Sequence, residues 1–145
     1  MFHRLGIKTL SWLLLLLLPV SSFAASPRTN YLLHCSGCHL PGGEGAPPNV
    51  PTMHDELGRM MNVPEMRTYL VRVPGSAQSN LSDTELTDVV NWMLQEFNAA
   101  TLPANFEPLS TEEVSAARKE VLANPLEYRI KHWRNYEKVQ FKIAD

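Results

Sequence analysis

Both cysteines of this 145-residue chain fall in one short stretch, LLHCSGCHLPGG at 32–43. Cys35 and Cys38 stand three positions apart, and His39 follows directly. No further cysteine exists to pair with them. Any fold this sequence adopts must present two sulfurs and an imidazole together on one piece of backbone. Few architectures have a use for that.

Three chemistries do. A redox dithiol of the thioredoxin kind sits in a βαβ unit. A structural zinc ion takes four ligands, so Cys35, Cys38 and His39 would need a fourth from His34 or His54. The third is covalent attachment of a c-type haem, whose signature is C-x-x-C-H. Two residues between the cysteines let both sulfurs reach the vinyl-derived carbons along one edge of a porphyrin. His39 then projects under the ring, where its imidazole can bind iron. Gly37, between the cysteines, leaves room for a flat group.

The N-terminus sets the expected compartment. His3, Arg4 and Lys8 form a short basic stretch, residues 10–20 are almost wholly apolar, and Ser22, Phe23 and Ala24 follow Pro19. This is the layout of a secretory signal peptide. The apolar run is about half of the ~20 residues a spanning helix needs. Cleavage near Ala24 and a periplasmic location follow, with no stable membrane span afterwards. Residues 1–24 are set aside from the fold.

The 121 residues that remain suffice for one small domain. The chain carries 13 Lys and Arg against 15 Asp and Glu. Arg4 and Lys8 lie within 1–24, which leaves 11 against 15 and a net charge of −4. That argues against nucleic acid as a partner. The charge is uneven, since residues 25–101 hold four Arg and eight acids while 125–145 hold five basic and three acidic residues.

The pattern along the chain is all-α. A short helix is expected at 27–35, and the Gly- and Pro-rich segment 40–51 is an irregular loop. A second helix is expected at 64–73, stopped by Pro74 and Gly75. The clearest helix is 83–97. Ser82 and Glu85 form a capping box, and Leu86, Val89, Val90, Met93, Leu94 and Phe97 follow the rhythm of one buried stripe. Residues 99–110 read as a linker. Ser110 and Glu113 start another capped helix, to about residue 123. Beyond Pro125 an appended helix or strap carries Tyr128, Trp133, Tyr136 and Phe141 among basic residues.

With these motifs together the sequence resembles a class I cytochrome c, over most of residues 27–98. PTMHDELGR at 51–59 resembles the family's Pro-Asn-Leu-His-Gly stretch and the Gly-Arg after it. The resemblance implies a small helical domain at 25–101 around one covalent haem c, with a C-terminal extension at 102–145. It implies Cys35 and Cys38 as attachment points and His39 as proximal iron ligand. It implies that the Pro51 carbonyl fixes the histidine ring, which raises ligand basicity, and that Arg59 steers a haem propionate. Met53 would pack on the proximal side. Tyr69-Leu70 resembles the pair covering the distal face. Tyr31 resembles the aromatic that packs on the last helix, near Val89 and Trp92.

The family usually places a methionine between the Tyr-Leu helix and the last helix, and its sulfur raises the potential. Here that loop is VPGSAQSNLSD, 73–83, without Met. The candidate distal ligands are Met66, Met60, Met61 and Gln78. His54 is expected at the surface. The resulting expectation is an exported monohaem cytochrome, not an enzyme, carrying single electrons to or from a partner such as a periplasmic dehydrogenase or oxidase. The alternative is a haem module whose open distal side binds or senses a small ligand. Peroxide chemistry wants a distal histidine and arginine, and neither stands beside Gln78.

Overall fold

Two serines start the helices that organise the fold. In the computed structural model, which describes residues 24–134 apart from Pro47 and Pro48, Ser26 caps helix α1 (Pro27–His34) by accepting a hydrogen bond from the Thr29 amide. Residues 1–23, which hold all but the last residue of the signal peptide expected at 1–24, and Tyr136 and Phe141 of the tail, lie outside the described residues. The described residues are mainly helical and form no strand, only one antiparallel bridge between Ala46 and Val50. After α1 come α2 (Ser36–His39), α3 (Glu56–Met60), a 3-10 turn (Pro64–Met66), α4 (Tyr69–Arg72) and α5 (Pro74–Ala77). Then follow α6 (Asp83–Asn98), α7 (Thr111–Ala117) and α8 (Pro125–Arg129), the last continuing as a π-turn, Ile130–Arg134.

Helix α6 carries the capping box read from Ser82 and Glu85, and Leu86, Val89, Val90, Met93 and Leu94 are all buried. Each such side chain contributes roughly 1.5–3 kcal/mol. Helix α1 lies across it. Tyr31, fully buried, has its ring centroid 5.4 Å from those of both Trp92 and Phe97. Tilted and edge-on arrangements of this kind suit the ring quadrupoles. Helix α3 is pinned to the far end of α6. The Gly58 amide donates to Asn98 Oδ1 at 3.0 Å, and Asn98 Nδ2 donates to the Met53 carbonyl at 2.9 Å. A Cβ on Gly58 would stand 2.2 Å from Thr101 Oγ1, so only glycine allows this approach.

The single helix expected at 64–73 is broken. Thr68 (φ −100°, ψ 6°) separates a 3-10 turn from α4. Long-range contacts override the local pattern here. Arg67 bonds both carboxylate oxygens of Glu113, at 2.7 and 3.0 Å, and the Glu107 carbonyl at 3.0 Å. Pro74 stops α4, yet it also opens α5 from the first position, where its missing amide costs nothing. Helix α7 has its capping box but ends at Ala117 rather than near residue 123. Past that point the backbone turns to Arg72, whose carbonyl accepts from the Leu122 amide at 2.9 Å.

The segment after residue 101 shares the core of the segment before it. Leu109, Val114, Ala117, Leu122 and Trp133 join one buried cluster with Tyr31, Leu57, Met66 and Leu94. Asn91 of α6 holds the stretch read as a linker, donating to the Leu109 carbonyl and accepting from its amide. Trp133 is therefore packed inside.

The Arg67–Glu113 pair gives this packing an acid-sensitive element. Hydrogen bonds from Arg67 hold the Glu113 carboxyl below the usual glutamate range, against the opposing effect of partial burial. A pKa lowered by folding stabilises above the unfolded value and is lost as pH falls through the folded one. Melting temperatures are expected to fall as pH drops below the ordinary value of 4.5, and Glu113→Gln is expected to flatten that slope. An acid slope unchanged by Glu113→Gln would exclude this pair as a source.

Candidate functional site

Helix α1 runs out at His34, and Cys35 (φ −121°, ψ −37°) redirects the chain into the single turn of α2. The Cys38 and His39 amides both donate to the Cys35 carbonyl, at 3.2 and 3.1 Å. Cys35, Cys38 and His39 thus stand at i, i+3 and i+4 of one helical turn, and these positions share a face. Ser36 Oγ secures the turn to α1 through the Leu32 carbonyl at 2.7 Å. Cys35 is half-buried, Cys38 exposed, and both are free thiols. Nothing lies within 4 Å of a Cβ built on Gly37. Leu33 and Leu40 flank the turn at 72% and 43% exposure.

The loop after His39 folds back on it. Leu40 adopts φ 62°, and its carbonyl accepts from Tyr31 Oη at 2.7 Å. The Gly45 amide donates to the His39 carbonyl at 3.1 Å, and the Met53 amide to the Gly43 carbonyl at 2.7 Å. The outcome is that Pro51 returns to the motif, with its carbonyl oxygen 3.2 Å from His39 Nδ1. A carbonyl only accepts, so Nδ1 carries the proton and Nε2 keeps its lone pair. Gly45 is required for this return. Its φ is +72°, and an added Cβ would sit 2.6 Å from the Pro51 carbonyl oxygen.

The environment tunes each group. Burial lowers the His39 pKa below the ordinary histidine value, although the Pro51 bond pulls the other way. The ring is therefore neutral at neutral pH and able to donate its lone pair. Burial pushes the Cys35 thiol up. Burial, with the charges of Cys35 and Glu44, raises Tyr31 to about 12, so it stays a hydroxyl donor.

The other residues singled out by sequence are placed as follows. Met53 is partly buried against the core. Arg59 is exposed at the end of the α3 surface. Tyr69 is buried, and its hydroxyl donates to the Pro125 carbonyl at 3.4 Å while its ring stacks on Tyr128. Met60 and Met66 are packed in the core at 1% and 0% exposure. Met61 is half-buried beside a cavity of about 720 Å³ that Phe106 and Asn62 also line. Gln78 is exposed.

His54 departs from expectation. It is half-buried rather than on the surface, packs at a tilt against Phe97 with ring centroids 5.2 Å apart, and donates from Nε2 to the Gly42 carbonyl at 2.7 Å. It braces the loop. Among the described residues no group of three or more His, Cys, Asp or Glu side chains is placed to hold a metal ion on its own. No helix among them is long and apolar enough to cross a membrane.

Two polar centres escaped sequence reasoning. Glu56 accepts from Arg129 and from Trp133 Nε1, joining α3 to the C-terminal turn. Arg118 binds the carbonyls of Ala77, Ser79 and Leu81. Nothing local marks either residue, since each gains its role from partners tens of positions away. No protein-family model matches this chain, and no curated protein matches it.

Proposed function

We propose that this chain is a monohaem c-type cytochrome that carries single electrons to or from a partner protein, such as a periplasmic dehydrogenase or oxidase. The observation that carries the reading is the shared face of Cys35, Cys38 and His39, with His39 Nδ1 held by Pro51 at 3.2 Å. The residues present fit a covalent haem on this side. The sulfurs and the Nε2 lone pair are on one turn, Gly37 leaves open space, and Leu33 and Leu40 offer apolar surface to a flat ring. When bound, the haem supplies a one-electron couple. The chain's part is to attach it through Cys35 and Cys38, to orient the His39 ring through Pro51, and to surround it with apolar groups. Such second contacts keep a ligand ring in one tautomer and orientation. Arg59 and Tyr69 are the further cofactor contacts in this reading.

A dithiol role fits less well. Reactive cysteines have lowered pKa values, and Cys35 is shifted upward by burial.

A second reading, an open iron face that binds a small ligand, is favoured by one set of placements. Met60 and Met66 are committed to the core, and Gln78 faces solvent. Spectra of the purified chain decide between them. Covalent haem with a low-spin ferric spectrum and a sulfur-to-iron charge-transfer band supports the carrier with Met61 or another methionine recruited. A high-spin spectrum that shifts with cyanide or CO supports the open face. A protein that retains no haem after denaturation would refute both.

A further inference from the structure

Leu40 directly follows His39, and its backbone is strained. Its φ of 62° and ψ of 158° fall in a region that essentially only glycine occupies. Among the described residues Asp55 is the other non-glycine with a positive φ. Aspartate is enriched at positive φ, and leucine is not. Strain of this kind persists where the surrounding structure over-determines it. Burial does not supply that, because the Leu40 side chain is 43% exposed. Hydrogen bonds to its backbone do. The Leu40 amide donates to the Ser36 carbonyl at 2.9 Å and closes α2. The Leu40 carbonyl accepts twice, from the Gly43 amide at 3.1 Å and from Tyr31 Oη at 2.7 Å.

Of these bonds, the one from Tyr31 ties the turn to the core. The Tyr31 ring is fully buried against Trp92 and Phe97 of α6. Phenylalanine would fill the same space, so packing alone does not call for the hydroxyl. The Tyr31 carbonyl also accepts from the Cys35 amide at 2.9 Å. One residue thus holds both ends of the turn, its backbone at Cys35 and its hydroxyl just past His39. The direction in which the chain leaves His39 decides where the loop goes. In this conformation the Gly45 amide meets the His39 carbonyl at 3.1 Å, and the Pro51 carbonyl stands 3.2 Å from His39 Nδ1.

We propose that Tyr31 is a positioning residue for His39: its hydroxyl holds Leu40 in a glycine-like conformation and so aims the loop that returns Pro51 to the imidazole. The inference rests on the haem reading above. It gives the tyrosine hydroxyl a task at the site that the packing of its ring does not perform. Without the bond, Leu40 relaxes toward an ordinary negative φ, and the Pro51 carbonyl moves off the His39 ring.

The test uses the full haem-loaded chain with Tyr31→Phe, alone and combined with Leu40→Gly or Leu40→Ala. Val114→Ala is the control, since it thins the core at α7 and touches none of these bonds. Two readouts are taken. One is hydrogen exchange of the Gly43 and Gly45 amides. The other is the spread of the haem methyl proton shifts in the cyanide-bound ferric protein, which follows the orientation of the His39 ring whatever the native distal ligand. Tyr31→Phe loses one hydrogen bond and keeps its ring. It is expected to raise both exchange rates by about fivefold to tenfold and to change the methyl spread. Adding Leu40→Gly is expected to bring exchange to within about twofold of Leu40→Gly alone and to restore the spread, because glycine adopts this conformation without strain. Adding Leu40→Ala keeps the Cβ and is expected not to rescue. Val114→Ala is expected to lower the melting temperature and leave the spread unchanged. Parental exchange and spread in Tyr31→Phe would overturn the proposal. So would rescue by alanine as full as by glycine, no rescue by glycine, or a spread that moves alike in Val114→Ala. A chain with no covalent haem overturns the haem reading itself, and exchange measured on that haem-free chain still decides whether the Tyr31 hydroxyl holds the loop.

Discussion

Replacing Trp133 with alanine is expected to lower stability by about 3–5 kcal/mol, the usual cost of truncating a buried large aromatic. Trp133 is 2% exposed and is the largest fully buried side chain of the described residues. Its indole also donates to Glu56, which accepts from Arg129 as well. Removing the donor leaves a partly buried carboxylate with a lost partner, and hydrogen bonds to charged groups contribute about 1.5–3 kcal/mol. For a body of this size the combined loss is a fall of roughly 10–25 °C in melting temperature. Calorimetry of the purified chain measures it. Trp133→Phe separates the two effects, since it keeps most of the ring and loses the N–H. If Trp133→Ala melts within a few degrees of the parent, the extension is not part of the core.

Gly45→Ala is expected to damage the candidate site more than any other single methyl addition. The φ of +72° is a left-handed conformation, which costs a side-chain-bearing residue about 1–2 kcal/mol. The new methyl would also meet the Pro51 carbonyl oxygen at 2.6 Å, a backbone atom with no rotamer to escape into. The carbonyl must move, and it is the partner of His39 Nδ1. In the haem reading, losing such a partner weakens a metal ligand by about 10–100-fold. The expected result is a lower melting temperature together with a ferric spectrum shifted toward high spin. Gly37→Ala is the matched control, because its Cβ would meet nothing within 4 Å. A Gly45→Ala protein with parental melting and an unchanged spectrum would remove the loop from the account of His39.

What could be read from the sequence was whatever the chain settles locally. The capping boxes of Ser82 with Glu85 and Ser110 with Glu113 lie within four residues each, and both form. The stripe from Leu86 to Leu94 follows from helical spacing alone. The placement of Cys35, Cys38 and His39 on one face is equally local. What resisted reading was set by contacts at long range. The helix expected at 64–73 is divided while Arg67 reaches residues 107, 108 and 113. The segment after residue 101 reads as an appendage because its polar linker and short helices hide how Leu109, Val114 and Leu122 fit under α4 and α6. His54 looks like a surface residue beside Asp55 until the loop brings Gly42 to its ring. Pairing of His39 with a proline twelve positions away had no local signal, and only the resemblance pointed to it.

A core assembled from both ends of the described chain has a consequence for timing. Synthesis runs from N- to C-terminus at about 5–20 residues per second, so Cys35 and Cys38 emerge several seconds before Trp133. Until Trp133 arrives, Glu56 lacks its indole donor and the cluster around Tyr31 and Leu94 cannot close fully. The last residues to be made are thus the ones that allow the core around the first-made helix to close.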